Sequence, residues 1–341
     1  MPIFDQGYQH WDGTLSGHAW RWLAISHRGV RTQLKNRWTR MALLLAWLPA
    51  LALGMFLALW GLLEQKTDDW KGLFTFLPAV VLLDPKAFRA EIWSLAFSWF
   101  LIAETYAAMI LVVIVGPNLI SQDLRFNAMP LYLSRPLTRF DYFAGKLGTI
   151  AAFLAAVILI PAVLTYVLGV GFSLSFKVIA DTYRIVPACL AYGAVVVLVA
   201  GLFMLAISSL SKNSRYVAAI WIGLWLVGST AAGVLADPNT LAIKWGPIVS
   251  LTNNLRRVQE VLLGTGEAFE SIREAGEQAM SPFGRRSFGR SFGRRHADPA
   301  MKYNPFAQDY PWQWSAYVLS GLVVLSLCIL TTRVKSLDRL R

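Results

Sequence analysis

Long stretches of this chain carry almost no polar side chains, and they recur near residues 41–63, 92–120, 147–170, 186–210, 216–236 and 312–332. Each is long enough, at about 18 residues or more, to cross a hydrocarbon core of roughly 30 Å as an α-helix. The pattern predicts an all-α integral membrane protein with six transmembrane helices. A further apolar piece, "GLFTFLPAVVLL" at 72–83, is too short to cross and contains Pro78. It reads as an interfacial or re-entrant segment, or equally as a packed piece of loop.

The polar stretches have patterns of their own. Residues 1–40 form a mostly polar N-terminal region. At 100° per residue over 18–40, Arg21, Arg28, Arg31 and Lys35 fall on one side, with Trp20, Leu23, Val30, Leu34 and Trp38 roughly opposite. Arg37 breaks the pattern, and Trp22 and Ile25 stray towards the basic side. A basic amphipathic helix with Trp on its apolar face suits the plane of an anionic membrane surface; the alternative is a solvated flank of the first span. Because the first apolar run starts only at Met41, no cleaved secretory segment is expected. The long segment 237–311 opens with "SLTNNLRRVQEVLLG", where Leu251, Leu255, Val258 and Leu262 have helical spacing and Gly264 is a natural stop. Order fades beyond it, and the FGR repeats within "SPFGRRSFGRSFGRR" at 281–295 read as flexible and solvated.

Composition agrees with the membrane assignment. Hydrophobic residues make up 56% of the chain, charged residues 15%, and mean hydropathy is +0.48, whereas ordinary globular proteins carry about a quarter charged residues. The net charge of +12 bears on orientation. With six spans both termini share a side with the loops 121–146 and 211–215, and these segments hold 6, 4, 2 and 4 Lys and Arg, against 4, 2 and 10 opposite. The ten fall in 237–311, too long a loop for the positive-inside bias to act on. The short segments therefore put both termini in the cytoplasm and 237–311 outside; the expected location is a bacterial inner membrane. Interleaved Arg and Phe also occurs in nucleic-acid-binding tails, but an outside location leaves no nucleic acid to bind.

Candidate chemistry is sparse. No G-x-x-x-x-G-K-[ST], H-E-x-x-H or G-x-S-x-G occurs, the four His lie outside the spans, and no Cys/His spacing suggests zinc. Cys189 and Cys328 lie inside apolar runs and read as packing residues. No catalytic, cofactor or metal site is expected. Glu104 stands alone as an ionisable residue well inside a span. A carboxylate there costs ~2.5 kcal/mol or more and usually faces a bundle interior or wet cavity, so Glu104 is a translocation-path candidate; a structural hydrogen bond to a neighbouring helix is the equal alternative.

The polar segment between the second and third runs is the most informative. Its Thr138 and Asp141 form a T-x-x-D capping box that starts the third span, with Lys146 placed to snorkel. "LISQDLRFNAMPLYLSRPLTRFDYFAGKLG" resembles the segment between the second and third spans of ABC-2 type transporter permeases, where an acidic position precedes "L-L-x-S-x-P-[LIV]-[ST]-R" and a "G-K". Asp123, Ser134, Pro136, Leu137, Thr138, Arg139, Gly145 and Lys146 fall in register. The chain departs at 127–130, where that family often has a Gly-Thr pair.

The resemblance implies a six-span permease domain over 41–341 that pairs as a homodimer or heterodimer. It would dock a separate ATPase subunit through 121–146, the expected route by which ATP drives export, with ATP bound by that partner. Asp123, Arg125, Tyr132, Arg135, Pro136 and Arg139 are the expected coupling residues, and membrane lipid is the other partner. The rival expectations are a channel or secondary carrier without an ATPase, and a scaffold holding an enzyme at the membrane surface.

Overall fold

The computed structural model describes residues 20–65, 71–75, 77–128, 137–235, 245–287, 304 and 310–338. Among them every regular element is helical. In chain order the helices are α1 (Arg21–Gln33), α2 (Arg37–Ala46), α3 (Leu48–Gln65), α4 (Ala79–Leu83), α5 (Arg89–Val115), α6 (Pro117–Arg125), α7 (Arg139–Leu154), α8 (Ile160–Ser173), α9 (Lys177–Thr182), α10 (Ile185–Val196), α11 (Leu202–Leu210), α12 (Ser214–Leu235), α13 (Leu251–Leu263), α14 (Thr265–Ser287) and α15 (Trp312–Asp338). Joined where they run on, they make six helices long and apolar enough to cross a membrane: Arg37–Gln65, Arg89–Arg125, Phe140–Ser173, Lys177–Leu210, Ser214–Leu235 and Trp312–Arg333. The short apolar stretch before the second of these forms only a 3₁₀ turn, Lys71–Phe74, and the five-residue α4.

Two of the breaks within these long helices have a local cause. Pro117 sits at the first turn of α6 and Pro161 at that of α8. Each lacks an N–H for the carbonyl four residues earlier. At Pro161 the chain absorbs this with a π-helical turn, Ala155–Leu159.

The amphipathic N-terminal segment is two helices rather than the single one expected over 18–40. α1 stops at Gln33, and the Asn36 side chain accepts from the Trp38 N–H to cap α2, which turns the chain into the first span. This turn is why Arg37 falls out of phase with the residues before it. Trp22 and Ile25, astray on the expected wheel, are on the face of α1 that packs against α7. Ser26 Oγ donates to the Gly145 carbonyl at 2.9 Å, and a methyl group at Gly148 would run into the Ser26 hydroxyl. The glycines let the two helix backbones approach.

The interior is aromatic and aliphatic. Trp60, Trp93, Phe97 and Leu101 are fully buried, and Trp93 meets Tyr166 edge-on at 5.6 Å. On the outside of α2 and α3, Leu44, Leu48, Leu51 and Met55 are all exposed, an apolar flank of the kind soluble monomers do not leave open.

Beyond α13 the order does not fade where the sequence suggested. Gly264 stops α13 in the left-handed region at φ +66°, and α14 then continues to Ser287. Ala268 and Ile272, four residues apart, are both buried, while Arg273 pairs with Glu270 and with Glu277. Such i,i+3 and i,i+4 pairs support a helix whose composition alone looks loop-like. The FGR repeats after Ser287 lie outside the described residues.

Candidate functional site

The two ends of the helix bundle carry different polar clusters. At one end α6 leaves the second long helix and α7 begins the third. The Asp123 carboxylate on α6 receives Lys146 Nζ at 2.6 Å and the Tyr142 hydroxyl at 2.7 Å, both from α7. Lys146 lies 5.3 Å from the Tyr142 ring centroid and is buried, so it turns inward to Asp123 instead of snorkelling. A second set of bonds ties α6 to the next loop along. Ser208 Oγ donates to the Pro117 carbonyl at 3.0 Å and accepts from the Ser121 N–H at 3.1 Å, while the Ser121 and Ser214 hydroxyls are 2.8 Å apart.

Between these anchors the chain is shaped for a turn. α6 ends with Asn127 in the left-handed region, φ 50°, and the Ala128 N–H bonds the Asp123 carbonyl at 2.8 Å. This is a Schellman-type stop in which Asn takes the position glycine usually fills. It falls where the sequence departs from the resembled pattern. α7 opens with the expected capping box: Thr138 Oγ1 accepts from the Asp141 N–H at 3.1 Å and the Thr138 N–H donates to Asp141 Oδ2 at 3.0 Å.

Of the expected coupling residues, Asp123 is thus held by α7. Arg125 is exposed, 5.7 Å from the Phe126 ring centroid, and Phe126 itself is 72% exposed. Arg139 is the first residue of α7. Tyr132, Arg135 and Pro136 lie outside the described residues. Sequence reasoning missed Tyr142 as a partner of Asp123 and missed Ser121, Ser208 and Ser214. The signal was small: a serine pair, Ser208 and Ser209, closing an apolar run.

A cavity of about 770 Å³ opens beside this cluster, between α1, α6 and α7. Arg21, Arg28 and Thr32 line it on one side, and Gln122, Asp123 and Lys146 on the other.

At the opposite end, Arg89 bridges three segments. Its Nε and one terminal nitrogen grip Glu64 at 2.8 and 2.7 Å, and the other terminal nitrogen reaches Asp181 at 2.8 Å. Trp60 Nε1 adds a third donor to Glu64 at 2.8 Å. The Glu64 and Arg89 side chains are 1% and 4% exposed. This fork-on-fork pair joins the end of α3, the start of α5 and the short α9. It was not anticipated.

Midway along α5, Glu104 is 0% exposed, and neither carboxylate oxygen has a hydrogen-bond partner among the described residues. The structural bond weighed from sequence is not made there. One turn either way, Leu101 and Ala108 are equally buried. Ser98 instead receives Gln259 Nε2 of α13, and Tyr106 packs against Trp225 at 6.1 Å. Cys189 is buried, Cys328 is exposed on α15, and both are free thiols. No group of His, Cys, Asp and Glu among the described residues is arranged to hold a metal ion.

What these clusters can do is mechanical and electrostatic. They fix helix ends, present a turn and hold one carboxylate away from water. No protein-family model matches the sequence, and no curated protein matches it.

Proposed function

We propose that this chain is the permease subunit of an ABC transporter of the ABC-2 type, inserted in a bacterial inner membrane and working in export with a separate ATPase subunit. The observation that carries the reading is the clamp of Asp123 by Lys146 and Tyr142. It holds the two ends of the 126–138 segment against one another, so the segment resembling the ATPase-docking loop of that family springs from a braced base. A push on a loop with a slack base would be absorbed locally. A push on this one moves α6 and α7 together and, through Ser121, Ser208 and Ser214, the neighbouring loop.

On this reading the Asp123 end faces the cytoplasm, as the Lys and Arg distribution over short segments requires, and the Glu64 end faces outwards. α1 lies at the membrane surface with Trp20 and Leu23, both exposed, towards lipid. ATP is bound by the partner. Closure of the ATPase pair favours whichever permease conformation its docking contacts fit better, since a ligand shifts an equilibrium only by its differential affinity. The permease acts as a pair, with a second copy or a related chain.

Replacing Tyr132 by Ala together with Arg135 by Glu tests the docking role. The expected result is release of a co-expressed ATPase on purification with insertion unchanged. Retention of the ATPase with normal transport would refute it.

A secondary carrier without an ATPase is the second reading, favoured by Glu104, because an unpartnered intramembrane carboxylate suits proton or cation coupling. Transport that persists without any ATPase would select it.

A further inference from the structure

A second cavity, about 410 Å³ in volume, forms an apolar slot between α3 and α5. We propose that it holds one acyl chain of a zwitterionic membrane phospholipid, in the leaflet at the Glu64 end of the bundle. The inference rests on the membrane placement proposed above and not on the ATPase.

The sequence pattern makes the slot. Pro49, Ala52, Leu53 and Phe56 line it from α3, spaced i, i+3, i+4 and i+7 as one stripe along the helix, and the α5 side repeats that spacing from Ile92 to Trp99. Two facing apolar stripes ordinarily close up. Here α3 gives its most extensive contact to α8 instead, where a methyl group at Gly61 would meet the Phe172 backbone at 2.9 Å. An alanine in each stripe, Ala52 and Ala96, then leaves the space between α3 and α5 unfilled. No charged, hydroxyl or amide side chain is among the described residues lining it.

Depth and direction identify the occupant. The Glu64–Arg89 pair sets the ends of α3 and α5 level; the α5 lining begins at Ile92, about 5 Å further in, and runs to Phe100, about 12 Å beyond. The slot therefore lies within two of the six long apolar helices, Arg37–Gln65 and Arg89–Arg125. Leu77 and Phe269 of α14 cover one side of it, and across α14 from Phe269 the side chains of Glu267, Glu274 and Glu277 are exposed. The polar helix stands between the slot and water. The other side is open: Ala52 is exposed and Trp99 is 60% exposed. That margin continues into the exposed Leu48, Leu51 and Met55 of α3, the apolar flank that suits a bilayer. An occupant enters sideways from hydrocarbon, not from solution.

Charge separates a phospholipid from a free fatty acid, which carries the same chain. From 265 to 277 α14 holds four glutamates against one arginine, and Arg273 is already paired with Glu270 and Glu277. A carboxylate headgroup beside this helix meets like charge. A zwitterionic headgroup brings no net charge. The chain itself supplies dispersion contacts to side chains that otherwise border a void, and 410 Å³ lies within the usual range for small-molecule sites. An occupied slot keeps α3 and α5 at their present separation.

The test reconstitutes the full chain in phosphatidylcholine nanodiscs containing a trace of phosphatidylcholine with a diazirine in one acyl chain. After irradiation, adducts are mapped by peptide mass spectrometry. Adducts at 96–100 should exceed those at Leu48 and Leu51 on the open flank. Ala96→Phe fills the slot and should abolish that excess while leaving the flank adducts and the helix content unchanged. Ala52→Leu, a smaller change at an exposed position, should reduce the excess in the same direction and serves where Ala96→Phe does not fold.

Adducts on the flank without an excess at 96–100 would overturn the slot alone, showing it covered by protein or filled by its own side chains. An excess that survives in the folded variants would overturn it too. Labelling of 96–100 by a diazirine fatty acid as strong as by the phospholipid, at equal mole fraction, would make this a fatty-acid site and overturn the headgroup assignment. Absence of adducts anywhere on the chain would overturn the membrane placement on which the inference stands.

Discussion

Glu64 and Glu104 are the same residue on neighbouring apolar helices, both withdrawn from water, and they are treated in opposite ways. Glu64 accepts from Arg89 twice and from Trp60 once. Glu104 has no partner at either oxygen among the described residues. Burying an ionisable group is costly, and the cost is offset only by pairing and hydrogen bonding or avoided by neutralisation. The comparison teaches that burial alone does not identify function. Glu64 has its desolvation answered by bonds that also lock helix ends together, so its presence is explained by architecture. Glu104 stabilises nothing visible, and that is what directs attention to its chemistry.

The largest effect should come from breaking the answered pair. Arg89→Ala leaves Glu64 buried without its cation, and such half-pairs cost about 3–5 kcal/mol. A steep loss of thermal stability in detergent is expected. Replacing both members, Glu64→Leu with Arg89→Leu, should cost less than Arg89→Ala alone, because two apolar side chains leave no orphaned charge. The double-mutant comparison in thermal melts checks this. If the double variant is the less stable one, the pair contributes more than its own desolvation and the contrast with Glu104 loses its basis.

How much of this was legible beforehand depended on the distance over which each signal acts. The six long helices, the Thr138–Asp141 box and the Gly264 stop rest on neighbouring residues, and the sequence displays them directly. The turn at Asn36 was hidden because its flanks continue the same helical wheel, so only the cap residue marked it. α14 was hidden by charged and small residues that obscured Ala268 and Ile272. The Glu64–Arg89 pair spans 25 residues and two antiparallel helices, so each partner alone resembles an ordinary charge at the end of a span. For the candidate site, Asp123 stood out through a resemblance, while Tyr142 and Lys146 as its holders follow only from packing.

Asp123 is the intermediate case and sharpens the comparison. Its carboxylate is paired, but the Lys146 and Asp123 side chains keep 11% and 14% exposure, so solvent weakens the penalty of breaking the pair. Asp123→Ala should cost about 1–3 kcal/mol, the range for stranding a buried charged hydrogen-bond partner. That is less than Arg89→Ala. If the base of the loop transmits force, the same variant should uncouple ATP hydrolysis from transport while remaining folded. Substrate-stimulated hydrolysis in reconstituted vesicles measures this; unchanged coupling at reduced stability would make the clamp architectural, like Glu64.

The smallest effect on stability, and the most telling one, is expected at Glu104. Its removal deletes no bond seen in this structure, so Glu104→Leu should leave the melting temperature unchanged or raise it, as replacing an uncompensated buried polar group by an apolar one does. Glu104→Gln keeps the shape and hydrogen-bonding capacity but never carries charge, so it isolates what charge contributes. If Glu104 lines the translocation path, both variants should fold normally and both should transport more slowly, with Gln closer to the parent if only polarity is needed and equal to Leu if the charge itself is used. A melting temperature that falls in Glu104→Leu by as much as in Arg89→Ala would mean that the folded protein supplies Glu104 with a partner after all, through a second chain or a segment outside the described residues. The two carboxylates would then be of one kind, and the case for Glu104 as a working residue would end there.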